Sequence, residues 1–135
     1  MIKLIILDLG KVILDFSYFK VAEDLAAYSD SGLYQDPGNI MDYILNNGKE
    51  INAAYETGHI TSDEFFVYIR DIFGLGISFP QFRQIWSDIF TENEGMGDLI
   101  EQMKKDFTLF LLSNTNELHF EFIKQKFPVV HKFDK

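Results

Sequence analysis

The chain has 135 residues, a formal net charge of −9 and no cysteine. That length suits one folded unit with a real core. The negative charge argues against nucleic acid and anionic membrane surfaces as partners, because phosphate binding needs a basic patch, and the missing cysteines exclude disulfides and thiolate metal sites. A hydrophobic fraction of 47% and an aromatic fraction of 16%, with 14 Phe and one Trp, predict an ordered interior rich in ring contacts. Residues 1–16 show no basic stretch followed by an apolar core and a small-residue cleavage site. No apolar run approaches ~18 residues. The sequence is therefore read as that of a cytoplasmic protein without a signal peptide or transmembrane helix.

Taken in order, residues 2–7 form an apolar run in which five of six side chains are large aliphatics, and it stops at Asp8, Leu9 and Gly10. Such a run predicts a strand buried on both faces, as in a parallel sheet. Residues 11–16 read as a short extended or turn segment carrying Asp15. Residues 17–29 turn helical, with Phe19, Ala22, Leu25 and Ala26 on one face. Residues 33–38 read as loop, with Pro37 and Gly38 as punctuation. Residues 39–57 predict one helix or two, interrupted near Asn46, Asn47 and Gly48.

Thr61 followed by Glu64, and Ser78 followed by Gln81, are capping boxes. They predict helices carrying Phe65, Phe66, Ile69 and Phe73, then Phe82, Ile85, Trp86 and Ile89. Residues 91–95 read as a linker and 96–105 as an amphipathic helix. Residues 107–112 predict a second buried strand ending in Ser113 and Asn114, and 117–127 a final helix closed by Pro128. The long helical crossover makes the two strands parallel. There are more helices than one crossover needs, so some form an insertion.

In open α/β sheets, ligands bind beyond the carboxyl ends of the strands. There the topology brings together Asp8, a nucleophile or metal ligand, and Ser113 with Asn114, which suit a phosphate at a helix start. No two of the three histidines have metal-ligand spacing, and each reads as a surface or packing residue.

The stretches Asp8-Leu9-Gly10-Lys11-Val12-Ile13 and Leu111-Leu112-Ser113-Asn114-Thr115-Asn116 resemble motifs I and II of the haloacid dehalogenase (HAD) superfamily. The stretches from Tyr55 to Phe66 and from Ile85 to Phe90 resemble the helical cap of its small class-I sugar-phosphate phosphatases. The resemblance implies an α/β fold with a Rossmann-like parallel sheet, a partial core from residues 1–16 and 91–135, and a helical cap from 17–90. It further implies a Mg²⁺-dependent phosphomonoesterase acting on a small phosphorylated metabolite. Asp8 would be the nucleophile, Asp8 and the carbonyl of Gly10 would hold the metal, and Ser113 with the Asn114 N–H would hold the phosphoryl group.

The chain departs from that pattern in two respects. Gly10 stands where many members carry a second aspartate as general acid, which leaves Asp15 as a stand-in. Lys11 stands where a small or amide residue is usual, and it is read either as positive charge near the phosphate or as a solvated side chain. The family's later lysine and acidic pair have no counterpart before Lys135, so the C-terminal part of the core is expected to be missing and the sheet to have an open edge. Two other functions are compatible with these residues. One is a non-catalytic fragment or assembly module forming homo-oligomers through that edge, and the other is a metal-independent dehalogenase using the same aspartate.

Overall fold

The computed structural model describes all of residues 1–135. The chain divides into two compact units, one of Met1–Phe16, Phe90–Asn114 and Phe120–Lys135, the other of Ser17–Ile89 and Thr115–His119.

The first unit is built on two parallel strands, β1 (Leu4–Leu7) and β4 (Thr108–Leu111), paired from Leu4↔Thr108 to Leu7↔Leu111. A second pair, β2 (Leu14–Phe16) and β3 (Phe90–Glu92), runs antiparallel. This pair takes up the second half of the predicted turn and the start of the predicted linker. Two three-residue strands so far apart in sequence carry no periodicity that separates them from loop. Helix α6 (Met96–Met103) and a 3₁₀ turn at Pro128–Lys132 complete the unit with the later turns of α7 (Glu117–Lys126). Leu9, Ile13, Leu14, Ile100, Leu109, Ile123 and Val129 are buried in it.

The prediction that residues 2–7 are buried on both faces does not hold. Ile2, Leu4 and Ile6 are 71%, 43% and 55% exposed. Leu4 and Ile6 share one face of β1 and alternate with the half-buried Ile5 and Leu7, so one face of the strand is left uncovered, and the edge away from β4 has no strand beside it. The far edge of β4, by contrast, is occupied. Leu111 N donates to Lys135 O at 2.7 Å, and Asp134 N donates to Leu109 O at 2.9 Å.

The second unit is helical: α1 (Phe19–Ala27), α2 (Pro37–Asp42), a π-helical turn at Tyr43–Asn47, α3 (Lys49–Glu56), α4 (Ser62–Phe73) and α5 (Phe79–Ser87). Both capping boxes form. Glu64 N donates to Thr61 Oγ1 at 3.2 Å while Thr61 N donates to Glu64 Oε2 at 2.8 Å, and Ser78 with Gln81 repeats the arrangement. Helix α2 begins inside the predicted loop, because Pro37 takes the first helical position and the Asp36 carboxylate accepts from Gly38 N at 2.8 Å. Helix α4 stops at Gly74, whose φ of +64° and closeness to Asp30 leave no room for a Cβ.

An aromatic stack fills the interior of this unit. Tyr55 lies on Phe65 at 4.4 Å, Phe65 meets Trp86 edge-on at 5.2 Å, and Phe82 stacks on Trp86 at 5.5 Å. Such pairs add about 0.5–1.5 kcal/mol each beyond the area they bury. Truncation of the fully buried Phe65 to alanine is expected to cost about 3–5 kcal/mol, read as a shift of the urea midpoint.

His119 extends the stack, its ring parallel to Trp86 within 10° and only 4% exposed. It is a packing histidine. Its Nε2 lies 3.0 Å from the Trp86 carbonyl, which can only accept, so the ring carries its proton there. Nδ1 then accepts from the Asn116 amide at 3.0 Å. Burial lowers the His119 pKa to about 4.

An unfolded histidine binds its proton near pH ~6.5. Between pH 6.5 and 4 the unfolded chain therefore holds more protons, and stability falls as the pH drops through that window. The expected loss is about 2 kcal/mol between pH 7 and pH 5. His119→Gln is expected to flatten that part of the urea-midpoint profile.

Candidate active site

The ladder between β1 and β4 continues one step past the strands, with Leu112 N donating to Leu7 O at 2.9 Å. Asp8 and residues 112–114 therefore leave the sheet at the same end. Asp8, Ser113 and Asn114, with Ile6 and Leu112, line an open cleft of about 340 Å³. Asp8 is exposed and uses Oδ1 to accept from Leu9 N at 2.7 Å, while Oδ2 makes no hydrogen bond within the protein. The Ser113 hydroxyl makes only a long contact, 3.4 Å, to Asn114 O. Asp8 Oδ2 and the Ser113 hydroxyl are thus both free to meet a ligand.

The turn after Asp8 is held tightly. Leu9 is buried and its carbonyl accepts from Ile13 N at 2.9 Å and Leu14 N at 3.0 Å, while Lys11 takes a left-handed φ of 62°. A Cβ on Gly10 would start 3.1 Å from the Phe16 ring. A larger residue at this position needs that ring to shift by a few tenths of an ångström, which gives a physical reason for glycine here.

Of the two expectations for Lys11, the solvated side chain fits, since it is 60% exposed and makes its contacts at the surface. Its ammonium is 2.5 Å from Asp15 Oδ1 and 2.8 Å from Phe16 O, and it sits over the Phe16 ring at 4.5 Å. The same contacts bear on Asp15. The Lys11 hydrogen bond, followed by the Phe16 N–H, holds its carboxyl below the usual carboxylate range. An ionised carboxylate clamped by lysine is a poor proton donor near neutral pH, and Asp15 lies outside the residues lining the cleft.

Ser113 does not cap α7, because Asn116 does that work. Its Oδ1 accepts from His119 N at 3.0 Å, three residues into α7. The sequence signal for this cap is an Asn just before the apolar periodicity begins.

The chain has no group of three or more His, Cys, Asp or Glu able to enclose a metal. Mg²⁺ does not need one, since it commonly takes one or two carboxylates and fills its shell with water and phosphate oxygens. The Asp8 carboxylate and the carbonyl of Gly10 are hard oxygen donors of that kind.

A parallel strand pair ending in Asp on one strand and Ser-Asn on the other, with a helical unit inserted between, is the arrangement of a HAD-like fold. Comparison with solved structures agrees. The whole chain superposes on a HAD family enzyme from Bacteroides thetaiotaomicron with a TM-score of 0.79 at 25% identity, covering 66% of that chain. The same enzyme in complex with magnesium and inorganic phosphate gives 0.77 at 24% identity and 67% coverage. A predicted HAD-like family hydrolase from Porphyromonas gingivalis gives 0.73 at 22% identity.

The chain belongs to the HAD superfamily. Among curated proteins it is similar to a D-ribitol-5-phosphate phosphatase of Bacteroides thetaiotaomicron, 32% identical over 117 residues that make up 86% of this chain and 54% of that protein. The chain thus spans about half the length of that relative. No protein-family model matches it.

Separate roles for the two polar residues after β4 predict separate outcomes. Asn116→Ala is expected to lower stability by about 1–2 kcal/mol through loss of the cap. Ser113→Ala is expected to change it by less than about 0.5 kcal/mol. Thermal unfolding of the two variants checks this.

Proposed function

We propose that this chain carries the nucleophile and phosphate-binding half of a Mg²⁺-dependent phosphomonoesterase acting on a small phosphorylated metabolite. The observation that carries the reading is the uncommitted Asp8 Oδ2 in one cleft with Ser113 and Asn114. In this mechanism an Asp8 carboxylate oxygen attacks phosphorus, the bond to the leaving oxygen breaks, and an aspartyl-phosphate forms on Asp8. Water then cleaves it and restores the carboxylate. The Ser113 hydroxyl and Asn114 N–H donate to the equatorial phosphoryl oxygens, where negative charge gathers in the transition state.

A magnesium ion held by Asp8 and the Gly10 carbonyl would offset the charge of the phosphoryl group. The leaving oxygen takes its proton from solvent in the open cleft, because position 10 has no side chain and Asp15 is tied to Lys11. The similarity to a D-ribitol-5-phosphate phosphatase supports a small phosphorylated substrate. The magnesium and phosphate bound to a HAD neighbour are in keeping with it. On this reading the helical unit serves as the substrate-selecting cap. The cysteine-free sequence suits work in the cytoplasm.

Hydrolysis of p-nitrophenyl phosphate by the purified chain is expected to require Mg²⁺, and Asp8→Asn is expected to lower it by more than ~10³-fold. Equal turnover by wild type and Asp8→Asn would overturn the assignment. Turnover of a 2-haloacid in the presence of a chelator would assign the aspartate to dehalogenation instead.

The exposed side chains and open edge of β1 favour a second reading, self-association of the chain through this strand. Sedimentation velocity is then expected to show a concentration-dependent dimer. The double variant Leu4→Lys, Ile6→Lys is expected to return it to monomer.

A further inference from the structure

The helical unit contains a cavity of its own, about 180 Å³, whose lining includes Tyr18, Asn52, Tyr55, Glu56, Trp86 and Asn116. It is far larger than one water requires. Its walls are mixed, as small-molecule sites usually are: aromatic faces with a few polar groups between them.

Hydrogen bonding sorts those polar groups into used and available. The Tyr55 hydroxyl is committed to Ser62 Oγ at 2.7 Å and Leu118 N at 3.1 Å, so Tyr55 offers the cavity its ring. Asn116 gives its Oδ1 and one amide hydrogen to His119, which leaves the second amide hydrogen. Asn52 donates to Ile44 O at 3.1 Å and keeps its Oδ1. Glu56 is exposed and brings a carboxylate.

Trp86 is the decisive member. The residue is 2% exposed, and its Nε1–H is the one buried side-chain polar atom with no acceptor in the protein. A buried donor left without a partner is costly, and native structures rarely keep one without a reason.

We propose that this cavity is a binding site for a short, uncharged polyol or the polyhydroxylated part of a larger molecule. Trp86 Nε1–H would donate to one hydroxyl and the Glu56 carboxylate would accept from another. A hydroxyl suits both neighbours because it donates and accepts. Trp86 needs an acceptor and Glu56 needs a donor, and the amides of Asn52 and Asn116 add one of each. The carbon chain then packs on the face of Tyr55 turned away from Phe65 and along the edge of Trp86, whose own faces are taken by Phe82 and His119.

An anion is disfavoured, since no Lys, Arg or His lines the cavity and Glu56 does. The field of that carboxylate is already felt by Tyr18, whose hydroxyl is pushed up to about 12, first by burial and then by Glu56. A fully apolar ligand would leave the Trp86 donor unsatisfied. The proposal concerns the helical unit alone and holds whether or not Asp8 is a nucleophile.

Trp86 is the only tryptophan, so its fluorescence reports on the cavity directly. The full chain is titrated with ribitol or xylitol, with 1-pentanol as the apolar comparison and N-acetyltryptophanamide as the control for solvent effects. The expected result is a saturable change in Trp86 emission with the pentitols and none with pentanol. Glu56→Gln, a change at an exposed position, is expected to weaken the pentitol response at least ~10-fold. Asp8→Asn is expected to leave it unchanged, which separates this site from the phosphatase reading.

A pentitol response that is linear and matches the free indole would overturn the proposal and leave a hydrated cavity. An equal response in Glu56→Gln, or saturable binding of pentanol, would overturn the polar recognition it asserts.

Discussion

The site depends on one pairing, that of β1 with β4. The two strands meet in register although Leu4 and Thr108 stand roughly 100 residues apart. Without that pairing Asp8 is an aspartate on an exposed turn and Ser113 a serine in a loop. With it, they line one cleft. Closing so long a loop costs little more than closing a moderate one, since each doubling adds only ~0.6 kcal/mol. Much of the intervening chain is also folded into its own aromatic-cored unit.

The two units solve the problem of stability differently. The helical unit holds itself with stacked rings, two complete capping boxes and a neutral histidine whose ring nitrogens both have partners. The strand-bearing unit keeps apolar side chains of β1 in solvent while its tail covers the far edge of β4. An insertion with its own core can change its interior without disturbing the strand ends. The cleft, by contrast, has little beneath it except a four-residue strand pair and the tight turn from Leu9 to Leu14.

Much of this was legible in the sequence. The capping boxes, the aromatic helix faces and the two strands that end in polar residues follow from spacing alone, because period and cap chemistry are local. What was not legible depended on contacts distant in sequence. Residues 14–16 became a strand because residues 90–92 lie beside them. Lys11 is the exception: it meets Asp15 and Phe16, which are near in sequence, across a turn whose left-handed φ at Lys11 no residue pattern announces. The exposure of Leu4 and Ile6 is set by what covers their face of β1, and an apolar run reads the same whether that face is covered or open. Asp8, Ser113 and Asn114 were legible as a group because parallel strands align their carboxyl ends, whereas the clamp on Asp15 was not.

The order of synthesis gives the β1–β4 pairing a further meaning. Leu4–Leu7 leaves the ribosome before its partner, and Thr108–Leu111 follows about 100 residues later. At ~5–20 residues per second, the apolar strand waits roughly 5–20 s with no sheet to join. The helical unit is nearly complete by then, so it is available to fold while β1 is still unpaired. A cell making this chain therefore carries, for that interval, a nascent polypeptide whose helical unit takes shape while an apolar strand upstream of it stays unpaired.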